Sequence, residues 1–136
     1  MRITLRVDIV TKKKLNVLIQ LAQVDKDFAK QERDMIYQIA RQRNFPDAMV
    51  DELIRNPESI GSLGALSEAQ KLDYLTSAIQ LVLADDRVLE SEIIFCKNIA
   101  IKLGFRKNVV EFMIDNITKM PVAELKKKVL TDYMMP

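Results

Sequence analysis

Two short acidic stretches stand sixty residues apart in this chain, and they hold its best candidates for chemistry. The first reads Asp25-Lys26-Asp27-Phe28-Ala29-Lys30-Gln31-Glu32, and the second Asp85-Asp86-Arg87-Val88-Leu89-Glu90-Ser91-Glu92. Each has an Asp, an apolar residue three positions on and a Glu seven positions on. Carboxylates grouped at a turn are what a hard cation such as Ca²⁺ or Mg²⁺ prefers. Asp25, Asp27, Glu32, Asp85, Asp86 and Glu92 are therefore the candidate metal ligands, and a divalent cation is the one cofactor the sequence suggests. The spacing is not that of an EF-hand. Counting from Asp25, Lys30 stands where a glycine is needed and Ile36 where a bidentate Glu is needed; from Asp85 the same places hold Glu90 and Cys96.

The same residues also have a purely structural use. A Glu at the third position of a helix reaches back to a free amide and meets the positive end of the helix dipole. An Asp at a turn bonds its own backbone two residues on. Phe28 and Val88 are expected to plug the turns into the core, with the carboxylates facing outward or toward the matching turn.

The rest of the inventory narrows the chemistry. There is no histidine, which removes the usual general base, the usual nitrogen ligand and every Ser-His or Cys-His arrangement. Cys96 is the only cysteine, so no internal disulfide forms and a reducing compartment is expected. It falls on an apolar helical stripe and reads as a core residue. Gly61-Ser62-Leu63-Gly64 is a linker, not a phosphate loop. Lys12–Lys14 and Lys126–Lys128 lack interleaved Arg or aromatic residues and read as solvated helix faces. Twenty-one basic residues against 19 acidic ones leave a net charge of +2, too little to argue for nucleic acid or an anionic membrane. No apolar run approaches the roughly 18 residues of a membrane span, and no signal-peptide core precedes the first helix, so export is not expected. The expectation is a cytoplasmic, non-enzymatic protein with a protein partner, no nucleic acid and no membrane span. A carboxylate pair in a pocket is the enzyme chemistry left open, but no Gly-rich or aromatic lining accompanies the acidic turns.

What positions the turns is a duplicated helical unit. Laying residues 16–57 over 76–117 gives eleven identities without a gap, among them Ile19/Ile79, Asp25/Asp85, Glu32/Glu92, Ala40/Ala100, Phe45/Phe105 and Asn56/Asn116. Unrelated segments would share about two or three of these by composition, so an internal repeat is the better account. Apolar periodicity predicts first helices over 11–24 and 67–84, apolar nearly all round and so central. Ser67 and Gln70 form a capping box at the second of these. Second helices are predicted over 30–43 and 90–103. They end at Asn44 and Gly104, the two residue types that best tolerate the left-handed conformation past a helix end, each followed by a Phe that packs back. Third helices are predicted over 46–55, with Pro46 as first helical residue, and over 107–116. Repeat one thus covers about 11–57, a linker 57–66, repeat two about 67–117, and a C-terminal helix about 121–131, with Met134-Met135 as a sticky tail. Ile3, Leu5, Val7 and Ile9 alternate with polar residues and read as an extended arm or a helix lead-in. The expected fold is all-α: a compact single-domain bundle of about seven helices, two pseudo-symmetric three-helix repeats plus the C-terminal helix.

The segments Ala22-to-Glu32 and Ala84-to-Glu92, continued through Ile-Ala and Asn/Gly-Phe, resemble the tellurite-resistance TerB family. That family has an Ala-Asp-Gly-x-Val-Ser-x-x-Glu type of turn in a duplicated all-helical fold, and the resemblance covers about residues 10–117. Asp25, Glu32, Asp85 and Glu92 match the pattern. The family's glycine is replaced by Lys26 and Asp86, and its N-cap Ser by Ala29 and Leu89, which leaves half of each capping box. The resemblance implies a bacterial, cytoplasmic TerB-like domain tied to tellurite or general stress, with acidic turns that bind a divalent cation. A metal-free protein-interaction scaffold is the alternative it equally permits.

Overall fold

The computed structural model describes residues 8–24, 28, 30–84 and 87–136. Among them are seven α-helices and no strand. In chain order these are α1 (Ile9–Gln23), α2 (Lys30–Gln42), α3 (Asp47–Arg55), α4 (Glu68–Val82), α5 (Glu90–Lys102), α6 (Val109–Asn116) and α7 (Val122–Asp132). The expected alternation of residues 3–9 falls mostly on residues 1–7, outside the described residues; Ile9 is the first residue of α1. Asp8 caps that helix, its Oδ1 accepting from the Val10 and Thr11 amides at 3.0 and 3.2 Å.

The two helices that are apolar nearly all round pack against each other at the centre. α1 buries Leu15, Val17, Leu18, Ile19, Leu21 and Ala22, and α4 buries Leu72, Leu75, Ala78, Ile79, Leu81 and Val82. α2 and α3 pack on α1 and on each other, and α5 and α6 pack on α4 and on each other. α1 also touches α5, and α7 lies against α6. Ser67 and Gln70 make the expected capping box, at 2.9 and 3.1 Å. Pro46 sits one residue earlier than expected: it is the N-cap of α3, with Asp47 as first helical residue.

The ends of α2 and α5 carry the same backbone device. Asn44 has φ 58° and Gly104 φ 92°. The Phe45 and Phe105 amides each reach back 2.9 Å to the Ala40 and Ala100 carbonyls, and the Asn44 and Gly104 amides donate to Arg41 and Ile101 at 3.1 and 3.0 Å. This pair of bonds is a Schellman motif, which satisfies carbonyls a helix end leaves bare. Both phenylalanines are buried behind it.

Residues 56–66 do more than link. Asn16 grips the backbone of Glu58 from α1, its Nδ2 donating to the Glu58 carbonyl at 2.8 Å and its Oδ1 accepting from the Glu58 amide at 2.9 Å. Leu63 is buried and Ile60 packs on the core. The C-terminus is also held. Met134 pairs with Phe105 in an antiparallel bridge, with Arg106 N–H to Tyr133 O at 2.7 Å and Met135 N–H to Gly104 O at 2.9 Å.

Candidate functional site

The acidic turns join α1 to α2 and α4 to α5, and the last carboxylate of each lies in the first turn of the second helix. Glu32 and Glu92 do not face solvent: they are 3% and 4% exposed. A carboxylate is buried at such a place when it has local donors, and Glu92 Oε1 accepts the Leu89 amide at 3.0 Å. Leucine offers no oxygen in return, so the capping box at α5 is half of one, as the sequence predicts. Asp25, Asp27, Asp85 and Asp86 lie outside the described residues. Among the described residues, no group of three or more His, Cys, Asp or Glu side chains is placed to hold a metal ion.

The apolar residues of the two turns part company. Phe28 packs on the core, with the Arg33 guanidinium 4.7 Å from its ring centre. Val88 does not plug its turn; it is 41% exposed. Cys96 lies one turn beyond Glu92 on the inner face of α5 and is fully buried. Burial, and then the Glu92 charge, push its thiol up to about 12, which leaves it a core residue rather than a nucleophile.

The most strongly perturbed polar cluster is one that sequence reading passed over. Lys14 in α1 is buried, and its Nζ donates to Asp73 Oδ2 of α4 at 2.8 Å. Arg43, just past α2, reaches the same oxygen at 2.9 Å. Desolvation pulls the Lys14 ammonium below its ordinary pKa, against the opposing pull of Asp73. Next along α4, the Tyr74 hydroxyl donates to the Val10 carbonyl of α1. Burial, then the Asp73 and Asp8 charges, push that phenol up to about 12. The cluster ties α1, α4 and the end of α2 together, and each member has a partner. Reading Lys12–Lys14 as one solvated face missed that Lys14 lies one turn before Leu18, on the side that turns inward.

The outer faces of α2 and α5 differ in kind. On α2, Asp34 pairs with Lys30 at 2.8 Å, and Arg41 forks onto Asp47 at 3.1 and 2.8 Å. At the matching positions of α5 stand Ile94 and Ile101, 52% and 45% exposed. A shallow recess adjoins Ile101, lined also by Arg106, Lys107, Asn108 and Met135. Ile9 and Val122 are exposed singly at the starts of α1 and α7, whereas Ile94 and Ile101 put two large aliphatic side chains in water on one helix face.

No protein-family model matches the chain, and no curated protein or solved structure matches it significantly. No helix among the described residues is long and apolar enough to cross a membrane.

Proposed function

We propose that this chain is a non-catalytic helical module of TerB-like plan that works in the bacterial cytoplasm by docking a protein partner on the outer face of α5. The observation that carries the reading is the exposure of Ile94 and Ile101 on a helix whose counterpart, α2, keeps ion pairs at the same positions. The other exposed large apolar residues of the central helices and α7, Ile9, Val24 and Val122, stand singly at helix ends, whereas two aliphatic side chains sharing one helix face support an interaction site. The lack of histidine and the inert, buried Cys96 support a non-catalytic role. The paired Schellman corners and the like packing of α1 with α2 and α3, and of α4 with α5 and α6, support two copies of one three-helix unit. Kinship with TerB proteins ties such a module to tellurite or general stress.

The test is a photo-reactive residue placed at position 94 or 101, with positions 34 and 41 as controls, in the native host. Adducts from 94 and 101 but not from 34 and 41 are expected. Silence at all four positions, or equal labelling at all four, overturns the reading.

A second reading rests on Glu32 and Glu92, both buried at the same helix-start position beside acidic turns. It assigns a divalent cation, Ca²⁺ or Mg²⁺, to those turns through Asp25, Asp27, Glu32, Asp85, Asp86 and Glu92. Calorimetry with Ca²⁺, Mg²⁺ and Mn²⁺ decides it. Heat that disappears in Asp25→Asn/Asp85→Asn supports the cation; no heat, or heat unchanged in that variant, ends it.

A further inference from the structure

We infer that the partner on the outer face of α5 is a second copy of this chain, its own α5 lying antiparallel across the first. The inference rests on the docking reading above and adds the identity of what docks.

The apolar line comes first. Ile94 and Ile101 are seven residues apart, two turns along one side of the helix or about 10 Å. Asn98, exposed, lies between them on that side. The unit-one helix shows that this position in the fold does not itself require aliphatic residues, since Asp34 and Arg41 serve there with partners of their own.

Charge then selects the occupant. The face is acidic at one end and basic at the other: Glu90 is exposed in the first turn, Lys102 is exposed in the last, and Arg106 and Lys107 are exposed just beyond. A parallel pairing sets like charge against like. An antiparallel pairing about a two-fold axis between Lys97 and Asn98 sets Ile94 against the second copy's Ile101. The same operation brings the acidic start of α5, with Glu90, to the basic end of the second copy, with Lys102 and Arg106, and it opposes the two helix dipoles. Lys97, beside the axis, is neutralised by Glu111 of its own chain at 3.1 Å, so the apolar pair and the charged ends are met by one operation acting on one surface, which is the condition for an isologous contact. The operation also brings the start of the second copy's α5, with its exposed Val88, toward the recess beside Ile101 and Met135.

The experiment uses the full chain in gel filtration with light scattering and in sedimentation, from micromolar to millimolar concentration. The wild type is expected to shift from one to two chain masses as concentration rises. Ile94→Asp/Ile101→Arg, which installs the unit-one residues at surface positions, is expected to stay monomeric with the same helical circular dichroism. Glu90→Lys or Lys102→Glu alone should weaken association at least ~10-fold, about 1.4 kcal/mol, and the two together should recover most of it. A wild type monomeric at every concentration overturns the proposal, as does a dimer that survives Ile94→Asp/Ile101→Arg. A monomeric chain that still gives photo-adducts to another protein from position 94 refutes the homodimer and leaves the docking reading standing; a monomer with no adducts refutes both.

Discussion

Lys14 and Asp73 join the two central helices through a 2.8 Å ion pair in which the lysine is 4% exposed and the aspartate 35%. The asymmetry decides what each deletion costs. A buried ammonium stripped of its carboxylate is left uncompensated, whereas the half-exposed carboxylate stripped of its lysine keeps Arg43 at 2.9 Å and water besides. Asp73→Ala is therefore expected to destabilise by about 3 kcal/mol, and Lys14→Met, which removes the buried charge and keeps the volume, by less than about 1 kcal/mol. Chemical denaturation of the two variants checks the order; equal losses would mean that Lys14 is held by something other than Asp73.

The helix corners give a second expectation. At φ 92° Gly104 needs the left-handed region, and the nearest atom to an added Cβ is the flexible Lys71 Nζ at 3.9 Å. Gly104→Ala therefore costs backbone strain without a clash, about 1–2 kcal/mol. Asn44→Gly should be neutral within about 0.5 kcal/mol and Asn44→Ala should cost about 1 kcal/mol. Thermal denaturation of the three variants reads this directly, and a harmless Gly104→Ala would show that the corner relaxes.

Asn16 supplies a third. It is buried and makes two bonds to the backbone of one residue, Glu58. Asn16→Ala removes both; the Glu58 amide is left to water while its carbonyl keeps the Gln20 side-chain amide as donor, at a cost of about 1–2 kcal/mol. Limited proteolysis should then cut within residues 56–66 well before the helices. Unchanged resistance there would show that Leu63, Ile60 and the Gln20 and Lys12 contacts to Glu58 anchor the segment without Asn16.

High pH should loosen the fold. The Cys96 thiol and the Tyr74 phenol are pushed up from ordinary values of 9.0 and 10.0 to about 12 each. Both are neutral in the folded chain where the unfolded chain has ionised them, so the fold holds more protons. Their stabilisation is complete below pH 9 and is lost as pH rises toward 12, at about 1.4 kcal/mol per pH unit for each group once its unfolded form is ionised. Lys14 works in the opposite sense, its lowered pKa adding stability as pH rises below 10.5. Comparing wild type with Cys96→Ala by denaturation between pH 7 and 11 isolates the thiol. The variant should lack the fall that begins near pH 9; an identical profile would mean the thiol ionises freely in place.

These residues also show what a sequence reveals and what it hides. Helix bounds were legible to within two residues wherever local chemistry set them. Ser67 and Gln70 announce a start, and Asn44 and Gly104 announce an end, because one backbone angle admits few residue types. The Asp8 cap is hidden in the sequence because the alternation through Ile9 masks the helix start. Burial of polar groups was not legible, since which of Lys12, Lys13 and Lys14 turns inward depends on what α4 places opposite. For Glu32 and Glu92 the helix-start role is legible, but not that it buries them rather than leaving them facing outward or toward the matching turn. The α5 face was visible in the aligned units, where Ile94 and Ile101 replace Asp34 and Arg41, but only the fold shows that those positions face water.

The contact of α5 with its own copy is tested most directly by a cysteine at its centre. Asn98→Cys places a thiol beside the proposed two-fold axis, while the native Cys96, fully buried, stays silent. Under mild oxidation this variant should convert rapidly to a disulfide-linked dimer, and Gln38→Cys, at the matching place on α2, should not. Equal and slow oxidation of the two variants would contradict a homodimer through α5.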